Sequence, residues 1–383
     1  MTETILERYL KLGLRLGRHV DGLVDSYAGP PEIAAAVEAE PLREPAELAA
    51  DAEALLGDVD EPWLHDQVRG LHTCASFMAG ASGSYADEVE GCYGFRPERT
   101  DESVFEAAHE ELGRLLPGDG PLAERYETWR DSIKVPADRI EATVAALIEE
   151  ARSWTRGIVE LPDGEGVDLE VVRDKPWMAF CEYRGGLRSQ ISVNADLPIS
   201  AFELLHISCH ETYPGHHAER VSKDDRLVRA QGRLEETLVL MPTPQSLVSE
   251  GIAELGSELL LSNEGGERLT AVLATVAGIE LDLPHALAVS RAREPLGWAE
   301  VNVSLMLHED GASADEVETY LTRWGLRAPE FAAHVVRFIT EPSSRTYIVT
   351  YSAGRELCRG YVNGDPARFR SLLTEQIRVS DLR

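Results

Sequence analysis

Eleven histidines are spread over 383 residues, yet four of them, His206, His210, His216 and His217, fall within twelve consecutive positions. The central string reads His210-Glu211-Thr212-Tyr213-Pro214-Gly215-His216-His217. Neutral imidazoles are good zinc ligands, and a Glu beside the first ligand can take the proton of a metal-activated water. In the usual helical form of such a site, HExxH, the two histidines stand at i and i+4 and face the same way. Here the i+4 position is Pro214. On an unbroken helix His216 would point about 240° away from His210, and His217 would sit about 10.5 Å farther along the axis. Neither could then share an ion with His210, because Zn–N bonds are only about 2.0–2.1 Å long. Pro214 removes an internal N–H and clashes with the preceding turn, while Gly215 reaches conformations other residues avoid. The sequence therefore predicts a break at Pro214-Gly215 that brings His216 or His217 back beside His210. Glu211 becomes the general base. His206, flanked by Leu204, Leu205 and Ile207, reads as a core or supporting residue.

A third ligand must come from another element. Glu250 opens Glu250-Gly251-Ile252-Ala253-Glu254, inside an apolar helical stretch. An acid followed by Gly and Ala suits a carboxylate let into a tight helix–helix contact. Glu254, one turn on, shares its face and can hydrogen-bond a ligating histidine. Two His and one carboxylate hold zinc or another divalent metal with a position left open. The same set also describes the facial triad of non-haem Fe(II) enzymes. A hydrolase needs a base at Glu211, whereas an oxygenase does not. A metal-free helical binding protein is the third reading.

The elements around these residues are mostly helical. Ile5, Tyr9, Leu12, Leu16, Leu23 and Tyr27 recur at helical steps, with Thr4 and Glu7 as a capping box and Pro30-Pro31 as the stop. Further helices are expected near 44–57, 60–82, 102–116, 119–130 and 136–157, and later near 200–213, 244–262, 266–292, 314–324 and 366–378. Between Gly164 and Asn194 the runs around Val167–Val172, Trp177–Cys181 and Arg188–Asn194 alternate instead, with Gly185-Gly186 as a turn. The fold class is mainly α: a helical body with a small antiparallel sheet inserted before the motif helix. Residues 1–160 form an N-terminal helical region, and 161–383 the metallohydrolase region. The strand from Gln190 to Asn194 is expected at a sheet edge, where both residues could bind an extended peptide.

Composition narrows the function further. With 67 acidic and 37 basic residues the net charge is −30, so non-specific binding to nucleic acid or anionic lipid is disfavoured. The five cysteines are scattered, without a CxxC pair, and read as reduced thiols. No apolar run approaches the about 20 residues of a membrane span. The amphipathic N-terminus lacks a secretory apolar core, which sets the expectation of a cytoplasmic protein.

The string His-Glu-x-x-Pro-Gly-His-His, followed by Glu250-Gly251-Ile252-Ala253, resembles the bacterial domain-of-unknown-function family 885. Asn302–Gly311, Pro342, and Thr350-Tyr351-Ser352-Ala353-Gly354-Arg355 are similar to later elements of that family, and Asp25–Pro31 to a segment of some members. The likeness covers residues 190–383 best. It implies a largely helical gluzincin fold like that of the Taq-type carboxypeptidases, and a zinc-dependent hydrolase of peptide or amide bonds. It also implies His210, His216 and Glu250 as zinc ligands, with His217 as the other candidate, and Glu211 as base. Within the family-like element Tyr351 is expected to donate to the oxyanion, and Arg355, one turn later, to hold a substrate carboxylate. His308 reads as structural.

Overall fold

The computed structural model describes residues 3–173, 178–196 and 198–383. Helices dominate it, and about half of the described α-helices begin at a residue whose side chain caps them. Thr4 accepts from the Glu7 N–H at 3.1 Å at the start of the first helix, Ile5–Gly17. That helix does not continue to Tyr27. Gly22, at φ 78°, turns the chain, and Val24–Tyr27 returns as a strand, β1. A Cβ on Gly17 would lie 2.5 Å from Val24 Cγ2, so the reversal is possible only because residue 17 has no side chain. Leu23 and Tyr27 thus belong to a turn and a strand, although their spacing matches the helix. The stretch expected at 266–292 is also divided. It forms helices Glu264–Val272 and Leu283–Arg293, separated at Gly278, where φ is 72°.

The inserted sheet has three strands, β2 (Gly166–Val172), β3 (Ala179–Tyr183) and β4 (Arg188–Asn194). Trp177 lies outside the described residues. β3 and β4 are antiparallel across the Gly185-Gly186 turn, with Cys181 opposite Ile191. β2 pairs with the other side of β4 and runs parallel to it, with Asp168 opposite Gln190. The sheet is therefore mixed, and β4 is its centre. A second, two-stranded ribbon joins β1 to β5 (Leu238–Leu240).

Four helical segments carry the motif residues. The first motif helix is Ala201–Glu211 and the second is His216–Lys223. The carboxylate helix is Pro244–Leu261, and the tyrosine helix is Val349–Val362. These last two cross at Gly251 and Gly354. A Cβ on Gly251 would sit 2.3 Å from the Gly354 carbonyl oxygen, and one on Gly354 would sit 2.3 Å from that of Leu247. Glu250 is therefore held beside a tight helix–helix contact, as the Glu-Gly-x-Ala string suggested. The main core gathers Leu204, Leu205 and Cys209 of the first motif helix with Leu247, Ile252 and Leu255 of the carboxylate helix. A second core packs the first helix and its neighbours against Leu238 and Leu240 of β5. Both cores draw on residues from either side of position 160. Among the described residues no helix is long and apolar enough to cross a membrane.

Candidate metal centre

The first motif helix starts at Ser200, which exchanges capping-box hydrogen bonds with Glu203. Its apolar face enters the core, so His206 and His210, one turn apart, share the side that meets the carboxylate helix. At Thr212 the backbone leaves helical geometry, with ψ −93°. The break is tied together by the Gly215 N–H donating to Cys209 O at 3.2 Å and the Ala218 N–H donating to Thr212 O at 3.0 Å. A Cβ on residue 215 would stand 1.9 Å from the His210 carbonyl oxygen. The bend thus requires a glycine for close approach, and the second motif helix starts immediately after it.

The result places His216 beside His210, with ring centroids 4.7 Å apart and nearly perpendicular at 88°. Glu250 reaches both: Oε2 lies 3.4 Å from His210 Nε2, and Oε1 lies 3.5 Å from His216 Nε2. Those spacings suit donors around one cation. Two ligands about 2.0–2.2 Å from a tetrahedral zinc lie about 3.3–3.6 Å from each other. A direct hydrogen bond would bring them to about 2.7–2.9 Å. Glu250 Oε2 is moreover buried without a hydrogen-bond partner. The donor set is of a kind that could hold a divalent cation such as zinc, and the chain's own groups orient His216. Ser249 Oγ donates to Glu219 Oε2 at 2.5 Å, so His216 Nδ1, 3.2 Å from Ser249 Oγ, is the donor in that contact. His216 Nε2 is then the nitrogen that faces Glu250. Glu254 Oε1 sits 3.5 Å from His210 Nδ1 and 3.4 Å from His206 Nε2.

The electrostatics follow. Burial alone would lower the His210 pKa, but the contact with Glu250 and the charges of Glu211, Glu250 and Glu254 raise it to about 9. Burial disfavours the charge of Glu250, yet the flanking imidazoles hold its carboxyl well below the usual range. For Glu254 burial is likewise outweighed, by His206, Arg355 and His210, and its pKa falls to about 2.

The other expected residues are placed differently. His217 is fully buried and faces away: Nδ1 meets Ser189 Oγ at 2.7 Å and Nε2 meets Glu165 Oε2 at 3.2 Å. Successive residues of a helix diverge by about 100°, so only one of the two adjacent histidines can face His210. Arg355 does not present a free fork to a ligand. It donates to Glu254 Oε2 at 3.1 Å and lies 3.8 Å from Glu294, and it neutralises the acid behind His210. Gln190 and Asn194 do not form an exposed edge, because β4 is paired on both sides. Asn194 Oδ1 accepts from the Asp196 N–H at 3.1 Å, closing the turn after the strand. Tyr351 lies near the site, half-buried, with its ring 5.7 Å from that of Tyr347. His308 bonds Ile339 O at 2.8 Å and stacks on Tyr85, a structural role.

Two residues of the site went unrecognised in the sequence. Tyr347 donates to Glu250 Oε1 at 2.6 Å. Its position four residues before Tyr351 was the available signal, but nothing local separates the two. Asp25 of β1 is brought in by the pairing with β5. Burial raises its pKa, and it feels the charges of Arg220, His216, Glu250 and Glu211.

No family model matches the chain, and no curated protein matches it. Among solved structures it is similar to a protein of Colwellia psychrerythraea provisionally named a lipoprotein, at TM-score 0.57 and 13% identity over 88% of this chain and 61% of that one. It is also similar to a protein of Shewanella oneidensis, provisionally named a lipoprotein of unknown function, at TM-score 0.53 and 12% identity over 99% of this chain and 72% of that one. The chain spans about 61% of the length of the first. The likeness is one of fold. It also corrects the expectation of a cytoplasmic protein. The two solved structures that share this fold carry lipoprotein names, which do not accord with that expectation. The lack of a secretory apolar core in the first residues of this sequence does not fix its location.

Proposed function

We propose that the protein is a zinc-dependent hydrolase of peptide or amide bonds, with His210, His216 and Glu250 as the metal ligands. The observation that carries this reading is the pair of spacings, 3.4 and 3.5 Å, from the two Nε2 atoms to the two oxygens of Glu250. The resemblance to family 885 points the same way. A bound zinc would polarise the scissile carbonyl and bring the pKa of a water near about 7. The remaining work belongs to the chain. Glu211, the last residue of the first motif helix and next to His210, accepts the water proton and returns it to the leaving amine. Tyr351 donates its O–H to the developing oxyanion. Burial and the carboxylates of Glu250, Glu211 and Glu254 hold that proton on the phenol far above neutral pH. Tyr347 keeps Glu250 in place, Glu254 sets a carboxylate 3.5 Å from His210 Nδ1, and Arg355 balances that charge.

The test is metal analysis of untagged protein prepared without chelators, alongside Glu211→Gln and His210→Ala, with cleavage of a mixed peptide library. Wild type and Glu211→Gln should carry one zinc per chain, His210→Ala none, and only wild type should cleave. Cleavage that survives Glu211→Gln removes the assigned base. Stoichiometric iron with oxygen uptake transfers the site to Fe(II) chemistry, and a site that takes no metal leaves a binding protein.

A further inference from the structure

Behind the candidate metal centre lies a cavity of about 170 Å³. Exposed Gly186 and Arg229 belong to its rim, and buried Arg220, Lys223, Glu236 and Thr237 form its floor. Its charges are unevenly satisfied. Lys223 is paired with Glu219 at 2.7 Å, and Arg229 with Asp224 at 3.1 Å. Arg220 and Glu236 form no such pair among the described residues, although they are only 9% and 8% exposed. Arg220 Nη2 reaches Ser249 Oγ at 3.3 Å, but Nη1 has no hydrogen-bond partner. Glu236 Oε2 accepts from Gln245 Nε2 at 3.0 Å, while Glu236 Oε1 and Gln245 Oε1 have none. Arg220 and Glu236 thus line one cavity as buried charges without an ion-pair partner among the described residues, and Gln245, which holds Glu236, is not part of that lining.

Buried charges that lack partners are costly, and such groups are retained where something completes them. We propose that this cavity binds a free amino acid as its zwitterion, with the α-carboxylate on Arg220 and the α-ammonium on Glu236. A guanidinium fork matches a carboxylate. An ammonium brings three donors and no acceptor, which suits a carboxylate. Burial raises the pKa of Glu236, and Lys223, Gln376 and Arg220 only partly offset that, so an arriving ammonium supplies what the carboxylate lacks. The volume equals about five or six waters at about 30 Å³ each, room for a small amino acid. The net charge of −30 disfavours a free anion, whereas a zwitterion brings no net charge. Arg220 also shares Ser249 with His216, so an occupant lies one hydrogen-bonded residue from a candidate ligand. The binding itself does not depend on the hydrolase reading.

Calorimetric titration of the full chain with each of the twenty L-amino acids, one at a time, tests this directly. At least one should bind at millimolar concentration or tighter. For that amino acid the N-acetyl and the carboxamide forms should each bind at least about tenfold more weakly, since each removes one charged contact. Glu236→Gln should weaken the free amino acid by a similar factor while the N-acetyl form is unaffected. If none of the twenty binds, or if either blocked form binds as well as the free one, the proposal is overturned. The comparison of blocked ligands stands on wild type alone, whatever becomes of the variant. Failure here leaves the metal content and peptide cleavage untouched, so the two readings are separated.

Discussion

Replacing Gly215 by alanine adds one methyl group, yet it should remove the candidate metal centre. The new Cβ would lie 1.9 Å from the His210 carbonyl oxygen, 2.6 Å from its carbon and 2.7 Å from the Cys209 carbonyl oxygen. Contacts under 3.0 Å are essentially never seen for a real Cβ, so the first atom must retreat by more than 1 Å. All three atoms are backbone, and no side chain can swing aside to relieve them. Either the first motif helix shifts at His210 or the break opens at Pro214. A metal site tolerates displacements of only about 0.2 Å in its ligand distances. A shift five times larger removes His210 or His216 from the set. Supporting residues alone are worth about 10–100-fold in metal affinity, so loss of a ligand should exceed about 100-fold. Overpacking adds a stability loss of at least about 1–3 kcal/mol. The assay is zinc competition against a chromophoric chelator, with thermal unfolding of the same samples. Gly113→Ala is the control. It sits inside the helix Glu102–Leu115 with nothing within 4 Å of the added Cβ, and should stabilise the protein by about 0.5–1 kcal/mol. If Gly215→Ala binds zinc within about threefold of wild type and melts at the same temperature, the close-approach argument fails.

Three more outcomes can be checked. Tyr347→Phe removes the 2.6 Å hydrogen bond to Glu250 and should weaken zinc about tenfold with little change in the fold, as read by the same chelator competition. In the metal-free protein His210 has its pKa raised from 6.5 to about 9, so its proton stabilises the fold fully below pH 6.5 and that contribution disappears as pH rises through about 9. Zinc uptake at pH 7.5 should therefore expel about one proton from His210, measurable by calorimetry in buffers of different ionisation enthalpy; no proton release contradicts the assignment. Glu165 behaves in the opposite sense. Burial opposes its charge, but His217, Tyr213 and Arg152 lower its pKa from 4.5 to about 2, giving stability present above pH 4.5 and lost as pH falls through 2. Glu165→Gln should be less stable than wild type at pH 7, and the gap should narrow on acidification, as followed by urea unfolding.

Much of this arrangement is legible in the residues because it is local. The Pro-Gly break, the capping box of Thr4 and Glu7 and the small residue after Glu250 each express a constraint within a few positions. What could not be read depends on partners distant in the chain. β4 looks like an edge strand until β2 takes its second side, and no pattern within Arg188–Asn194 announces that. Arg355 carries the same fork whether it meets a substrate or Glu254, and only the crossing of the carboxylate and tyrosine helices decides. Asp25 sits in a segment whose spacing continued the helical face of the first helix. Its approach to the centre depends on a turn at Gly22 and on pairing with Leu238–Leu240, more than two hundred residues later.

The broken motif also explains why two adjacent histidines occupy opposite environments. In an unbroken HExxH helix both imidazoles leave from one rigid face, and the helix needs no further fixing at its second ligand. Here His216, the second candidate ligand, stands at the start of a new helix, whose direction must be fixed independently. His217 does that. Its two ring nitrogens bind Ser189 of β4 and Glu165, and Glu165 is held in turn by Arg152 at 2.7 Å and by the Tyr213 hydroxyl. Tyr213 precedes Pro214 and His217 follows the bend, so both flanks of the break are tied to one carboxylate. With that carboxylate fixed at the start of β2, the inserted sheet becomes the frame against which the bend is set. The placement of the sheet just ahead of the motif in the sequence then has a physical reason, because it supplies the anchor that an uninterrupted helix would not require.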